Sequence, residues 1–154
     1  MTVDSGVHEK GTFSLSRLLH EAKKHKKFAE AGAVGLFIGV VRGETLMGEK
    51  VKQLTLEAYE EKANEVLAKI CEDLSKRSGI IDVQIHHLVG EFNVGEDLVY
   101  VLVAGSHRKD VFPVLQDAVE RYKIEAPVFK KEHIVDSNDS ATQYWVSERD
   151  HQLK

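Results

Sequence analysis

Two groups of residues in this 154-residue chain have the types and spacing to do chemistry. The first is Ser106-His107-Arg108, set between an unbroken apolar run, Leu98–Ala104, and an amphipathic segment that opens near Asp110. Where a strand leads into a helix, unpaired backbone N–H groups and the positive end of the helix dipole attract anions, and a guanidinium there can grip two oxygens of a phosphate. Charges that merely decorate a turn have the same composition. The second group is Lys123, near the end of that amphipathic segment, with Lys130 and Lys131 shortly after it. If the chain there is extended, Lys130 and Glu132 share one face and Lys131 and His133 the other. A lysine crowded by cations or partly desolvated releases its proton more readily and can serve as base, acid or nucleophile near neutral pH. The plainer explanations are that Lys123 complements a helix dipole and that Lys130 and Lys131 guard a sheet edge with charge.

Other candidates carry less. Consecutive residues of a strand point to opposite faces, so His86 and His87 are poorly placed to chelate one metal ion, and one packed plus one exposed histidine is expected instead. Cys71 borders an apolar helical stripe and reads as a buried small hydrophobe rather than a nucleophile. The run Lys23-Lys24-His25-Lys26-Lys27 looks superficially like a nucleic-acid patch, but reads as the solvated face of a helix whose cations complement its C-terminal end.

The elements that must position these groups follow from periodicity. Helices are expected over Ser16–Glu30, Glu60–Arg77 and from Asp110 as N-cap to about Glu125, where Pro127 ends the last one. With Asp110 as the cap, Pro113 falls in the first turn, and the apolar side is Val111, Phe112, Leu115, Ala118, Val119 and Tyr122. Strands are expected over Ala33–Arg42, Val51–Tyr59, Ile81–Val89, Leu98–Ala104, Val128–Val135 and Thr142–Val146. Leu98–Ala104, apolar throughout, should be central and covered on both faces. Gly43–Lys50 reads as an exposed hairpin loop of the kind that closes over sites, and Asp136–Asp139 as a turn. The order is helix, two strands, repeated three times: an α+β pattern with largely antiparallel sheet, read as one domain over 1–154 with loose ends at about 1–12 and 148–154.

Composition narrows the classes. The formal charge of −4 argues against a broadly basic nucleic-acid binder, so any anion site is local. One cysteine excludes an internal disulfide and a multi-thiolate zinc site, and suits a reducing cytoplasm. The longest uncharged stretch, Ala31–Val41, falls well short of the roughly 20 apolar residues of a membrane span, and the first residues, with Asp4 and Glu9, lack the apolar region of a signal peptide.

Five motifs in order carry a resemblance: Val40-Val41-Arg42-Gly43 after a Gly-Ala-Val strand, Leu56-Glu57-Ala58-Tyr59, Ser106-His107-Arg108, Ala126-Pro127-Val128-Phe129-Lys130-Lys131-Glu132, and Trp145-Val146. From about Phe13 to Arg149 the chain resembles the catalytic, large subunit family of molybdopterin synthase. The resemblance implies an α/β hammerhead fold with an added, largely antiparallel subdomain. It also implies a homodimer flanked by two copies of a small ubiquitin-like sulfur carrier. The carrier's C-terminal Gly-Gly thiocarboxylate supplies two sulfur atoms that turn cyclic pyranopterin monophosphate into the dithiolene of molybdopterin, without a metal or a cofactor. By the same resemblance Lys123 and Lys130 are catalytic, and Val40, Val41, Arg42, His107, Arg108, Lys131 and Glu132 form a phosphate and pterin pocket drawn from both protomers. The resemblance also implies that Phe129 and Arg149 contact the carrier's tail. Phe129 stands where the family often has tryptophan, keeping an aromatic plug but losing an indole N–H. The rival expectation is a noncatalytic α+β adaptor whose basic groove holds an anionic ligand or an acidic protein tail.

Overall fold

The computed structural model describes residues 4–135 and 141–146. In chain order these form β1 (Gly6–Glu9), α1 (Leu15–Ala22), a 3-10 turn (Phe28–Glu30), β2 (Ala33–Val40), β3 (Lys50–Ala58), α2 (Glu60–Ser75), β4 (Ile80–Asn93), β5 (Asp97–Gly105), α3 (Arg108–Glu125), β6 (Val128–Val135) and β7 (Ala141–Val146). The strands make one sheet in the order β2-β5-β4-β3-β6-β7, antiparallel along that path, with β1 added parallel to β4. The mixed, largely antiparallel architecture expected from periodicity is therefore present.

The long strand β4 joins the two halves of the sheet. Its first half pairs with β5, residues 86–89 pair with β1, and Gly90–Asn93 pair with β3. The change of partner falls at Gly90, whose φ of +129 is costly for any residue with a Cβ. β5 lies inside the sheet between β2 and β4 and is buried from Leu98 to Gly105, as its unbroken apolar run requires.

Helices α2 and α3 lie against each other and against β4 and β5. α2 buries Ala63, Leu67, Ile70, Cys71 and Leu74 at helical spacing, each large aliphatic contributing about 1.5–3 kcal/mol on burial. On the opposite face of β4, Phe13 stacks on His86, with ring centroids 4.2 Å apart.

Several expectations need correction. The helix expected over Ser16–Glu30 stops at Ala22, capped at its start by the Ser14 hydroxyl, which accepts from the Arg17 N–H at 3.2 Å. Lys23 to Lys27 lie in tight turns beyond it, where Lys24 and His25 donate to the carbonyls of Glu21 and Ala22. A helix continued through four lysines would stack like charges one turn apart, and this opposes it. β1 was not expected at all: residues 6–9, read as part of a loose end, are held by β4. The Gly43–Lys50 segment closes on itself, Thr45 N–H donating to Glu49 O at 2.8 Å, but β2 and β3 do not form a hairpin, since they pair with different strands. α3 begins at Arg108 with His107, not Asp110, as N-cap, so Pro113 sits in the second turn. Its buried stripe is Val111, Val114, Ala118 and Tyr122, and Phe112 is exposed. Finally, both faces of β4 are covered, so His86 and His87 are both buried. The expected turn at 136–139 lies outside the described residues.

Candidate active site

A cavity of about 230 Å³ opens where the end of β2, the end of α3 and the sheet of β3 and β6 meet. Three independent stretches of sequence deliver cations to its wall: Arg42, Lys123 and Lys130. Each has a local reason to be there.

Arg42 follows β2, between two residues fixed by backbone hydrogen bonds. Val41 donates to Glu96 O at 3.0 Å and accepts from Gly95 N–H at 2.9 Å, while Gly43 accepts from Val51 N–H at 3.0 Å. Val41 is buried and Val40 exposed, and both line the cavity, as does Arg42. Lys123 follows the buried Tyr122 in the last turn of α3, which ends when Ala126 N–H donates to Tyr122 O at 3.0 Å. The chain then turns tightly, Tyr59 N–H donating to Pro127 O at 3.1 Å, and enters β6. Alternation does the rest. Lys130 pairs with Leu56 and Glu132 with Leu54, so all four share the face that lines the cavity.

The same alternation sends Lys131 and Phe129 to the other face. Lys131 pairs with Thr55 and with Trp145, its ammonium 4.8 Å from the centre of the indole ring. Phe129 pairs with Glu57 and is half exposed. Neither lines the cavity, so Phe129 is no plug for it within one chain. His107 and Arg108 are farther still. They open α3, and at 1.5 Å per residue Arg108 lies about 22 Å along the helix axis from Lys123. His107 Nδ1 sits 3.5 Å from Asp110 Oδ2, and both His107 and Arg108 are exposed. One chain thus brings together Val40, Val41, Arg42, Lys123, Lys130 and Glu132, and leaves His107, Arg108, Lys131 and Phe129 outside. Arg149 lies outside the described residues.

Glu44, Leu46 and His87 also line the cavity and were not assigned to this site from the sequence. Glu44 and Leu46 come from the Gly43–Lys50 segment, whose glycines and exposure did mark it as a loop near a site. His87 lines the inner wall beside Tyr122; the sequence weighs it only as a metal ligand beside His86. The wall is amphiphilic: Leu54, Leu56, Leu98 and Val99 are buried, while Arg42 and Glu44 are exposed. Such a cavity suits a small ligand with an apolar body and an anionic group. Among the described residues no group of three or more His, Cys, Asp or Glu side chains could hold a metal ion, and no helix is long and apolar enough to cross a membrane.

Comparison with known proteins points the same way. Residues 9–125 match the family model described as MoaE protein. That span includes Arg42, His107, Arg108 and Lys123 and stops short of Lys130. The chain is 34% identical over 118 residues to the molybdopterin synthase catalytic subunit of Pyrococcus abyssi, covering 77% of this chain and 76% of the relative. It is also 34% identical over 137 residues to a probable molybdopterin synthase of Haloferax volcanii, covering 88% of this chain but only 51% of that relative, about half its length. Among solved structures, the fold superposes on molybdopterin synthase from Staphylococcus aureus with a TM-score of 0.79 at 28% identity, covering 95% of this chain and 98% of that one. It also superposes on a chain of the complex of subunits 1 and 2 of the molybdopterin-converting factor from Helicobacter pylori, with a TM-score of 0.65, 20% identity and coverage of 96% and 90%, a likeness of fold alone.

Proposed function

Because the chain belongs to the MoaE protein family, we propose that it is the catalytic subunit of a molybdopterin synthase: a sulfurtransferase that moves two sulfur atoms from the thiocarboxylate of a small ubiquitin-like carrier to cyclic pyranopterin monophosphate. The observation that carries this reading is the convergence of Arg42, Lys123 and Lys130 on one amphiphilic cavity from three separate elements.

In this reading Arg42 and the lysines hold the substrate's anionic groups. Attack by the thiocarboxylate sulfur on a pterin side-chain carbon builds negative charge on oxygen, which the ammonium groups of Lys123 and Lys130 stabilise, and a proton from one of them accompanies the oxygen that leaves as water; a water molecule then attacks the thioester carbonyl that joins carrier to substrate, the acyl carbon–sulfur bond breaks, and the carrier departs as its carboxylate with the sulfur left on the pterin. Glu132 shares the face of Lys130 and keeps the site from being uniformly cationic. The carrier's extended tail reaches this cavity with its terminal carbonyl between the two lysines.

His107 and Arg108, about 22 Å from Lys123 along α3, act in the cavity of a second protomer. The functional unit is then a homodimer with a carrier on each side, working in the cytoplasm. Lys131 and Phe129, on the face of the sheet that looks away from the cavity, take no direct part in the chain's own site.

The test is reconstitution with the thiocarboxylated carrier and the pyranopterin. Dithiolene formation by the wild type and its loss in Lys123→Ala support the reading. Tight binding of the carrier without turnover supports the adaptor instead, and full activity of Lys123→Ala refutes the assigned site.

A further inference from the structure

The backbone that carries Arg42 is held from outside its own strand. The pairing of β2 with β5 shifts register between Gly39 and Val40, and beyond that point Val40, Val41 and Arg42 all line the cavity, which a regularly alternating strand would not allow. The turn between β4 and β5, residues 93–96, grips this irregular stretch. Gly95 N–H donates to Val41 O at 2.9 Å, and Val41 N–H donates to Glu96 O at 3.0 Å. Val94 lies over Gly43, where an added Cβ would stand 3.4 Å from Val94 Cγ1. The turn thus touches the residues on both sides of Arg42. It is itself fastened in two ways. Within it, Asn93 N–H donates to Glu96 Oε2 at 2.9 Å, and Glu96 N–H to Asn93 O at 3.1 Å. From outside comes Lys10, the residue after β1, whose N–H donates to Val89 O at 2.9 Å. Its ammonium donates to Glu91 O at 2.9 Å, lies 2.6 Å from Glu96 Oε2, and stands 5.3 Å from the centre of the buried Phe92 ring.

We infer that Lys10 and Glu96 are positioning residues for substrate binding: their ion pair locks the 93–96 turn onto Val41 and so fixes where Arg42 presents its guanidinium. The inference rests on the function proposed above and gives the N-terminal strand a part in it. A guanidinium grips an anionic group through paired hydrogen bonds of fixed direction. Arg42 is exposed on a long side chain, and any motion of the backbone beneath it must also be stilled when ligand binds, which subtracts from affinity. A backbone already clamped on both sides removes that part of the cost. The clamp is ionic at neutral pH, because the Lys10 ammonium first, and the Asn93 N–H after it, hold the Glu96 carboxyl below its ordinary range. Both side chains are more than a third exposed, so the contribution of the pair is modest and its loss should weaken binding without abolishing it. If Lys10 only pinned β1 to the sheet, its removal would lower stability and leave affinity at Arg42 untouched.

Measurements on the full chain separate positioning from general support. Amide hydrogen exchange reads the clamp with no ligand present: Lys10→Met is expected to quicken exchange at the Val41 and Gly95 N–H groups about threefold or more, while amides in the middle of β5 keep their rates. Titration calorimetry with cyclic pyranopterin monophosphate reads the consequence. Lys10→Met weakens binding about threefold, Glu96→Ala, which also frees the Asn93 N–H, about tenfold, and Lys10→Arg stays within about 1.5-fold of wild type. In an Arg42→Gln background, itself about tenfold weaker, neither change adds a further loss, because the effect runs through Arg42. In turnover with the carrier, Lys10→Met raises KM and leaves kcat in place. Unchanged exchange at Val41, unchanged affinity in Lys10→Met, or losses that multiply in full with Arg42→Gln would each overturn the inference. A wild type that does not bind pyranopterin removes the proposed function and the inference with it; a wild type that binds and turns over, with Lys10→Met matching it, removes the inference alone.

Discussion

Lys130 and Lys131 are consecutive in β6 yet stand on opposite faces of the sheet, one lining the cavity beside Glu132 and the other over the Trp145 ring at 4.8 Å. Two adjacent lysines therefore have separable roles. Lys130→Ala is expected to lower kcat/KM about 100-fold or more, the range for losing a positioned proton donor or charge stabiliser. Lys131→Ala should leave kcat/KM within about threefold and reduce stability by about 0.5–1 kcal/mol through the lost cation–π contact. Steady-state kinetics and urea unfolding of the two variants check this. Equal losses of activity would place Lys131 in the reaction after all.

The separation of Arg108 from Lys123 along α3 makes a second expectation. If each cavity is completed by the other protomer, Arg108→Ala and Lys123→Ala are each impaired alone but complement each other. Coexpression gives mixed dimers in which one of two sites is intact, restoring about a quarter of wild-type activity in a statistical population. Recovery no greater than the mean of the two variants would confine each site to one chain.

Acid should weaken the fold through His86. Gln84 Nε2 donates to Asp82 Oδ2 at 2.7 Å, so Gln84 Oε1 accepts from His86 Nε2 at 2.9 Å, and His86 Nδ1 accepts from His8 Nε2 at 2.9 Å. Burial, with smaller contributions from His8 and Arg17, lowers the His86 imidazole from 6.5 to about 3, and burial followed by Arg17 lowers His8 as well. The unfolded chain then binds protons that the folded one refuses. The stability from this network is complete above pH 6.5 and is lost as pH falls toward 3, by up to about 1.4 kcal/mol per pH unit for each proton. Urea unfolding between about pH 7 and pH 5 should show a shallower decline in His86→Phe than in wild type; parallel declines would mean that His86 is not the sensor.

Cys71 should be dispensable for sulfur transfer. Its thiol is buried, lies 3.5 Å from the Ser5 hydroxyl, and is pushed up to about 11, chiefly by burial. A neutral, enclosed thiol is a poor nucleophile. Cys71→Ala is expected to keep turnover within about twofold and to cost about 1 kcal/mol of stability, and a thiol reagent should label the wild type only on unfolding. Loss of turnover in Cys71→Ala would refute this.

Much of this was legible in the residues, and the failures have physical causes. Strand alternation alone put Lys130 and Glu132 together, and an unbroken apolar run was enough to place β5 inside the sheet. β1 was hidden because Gly6–Glu9 is too short for a period and gains its stability from β4 and from the His8–His86 contact. The end of α1 was missed because lysine is a good helix former one residue at a time, while five successive basic positions repel one another. His87 was passed over because alternation tells which way a side chain points and not whether another layer covers that face. The distance between Arg108 and Lys123 follows from helix length, but which chain completes the cavity is a property of assembly.

The central claim is that sulfur reaches the pterin from the carrier through this cavity. It is tested most directly by incubating the protein with cyclic pyranopterin monophosphate and a carrier whose C-terminal thiocarboxylate bears a heavy sulfur isotope, then analysing the product by mass spectrometry. Wild type and Cys71→Ala are expected to give a dithiolene with both sulfurs labelled, and Lys123→Ala almost none. An unlabelled dithiolene, or no dithiolene from the wild type with the carrier bound, would contradict it.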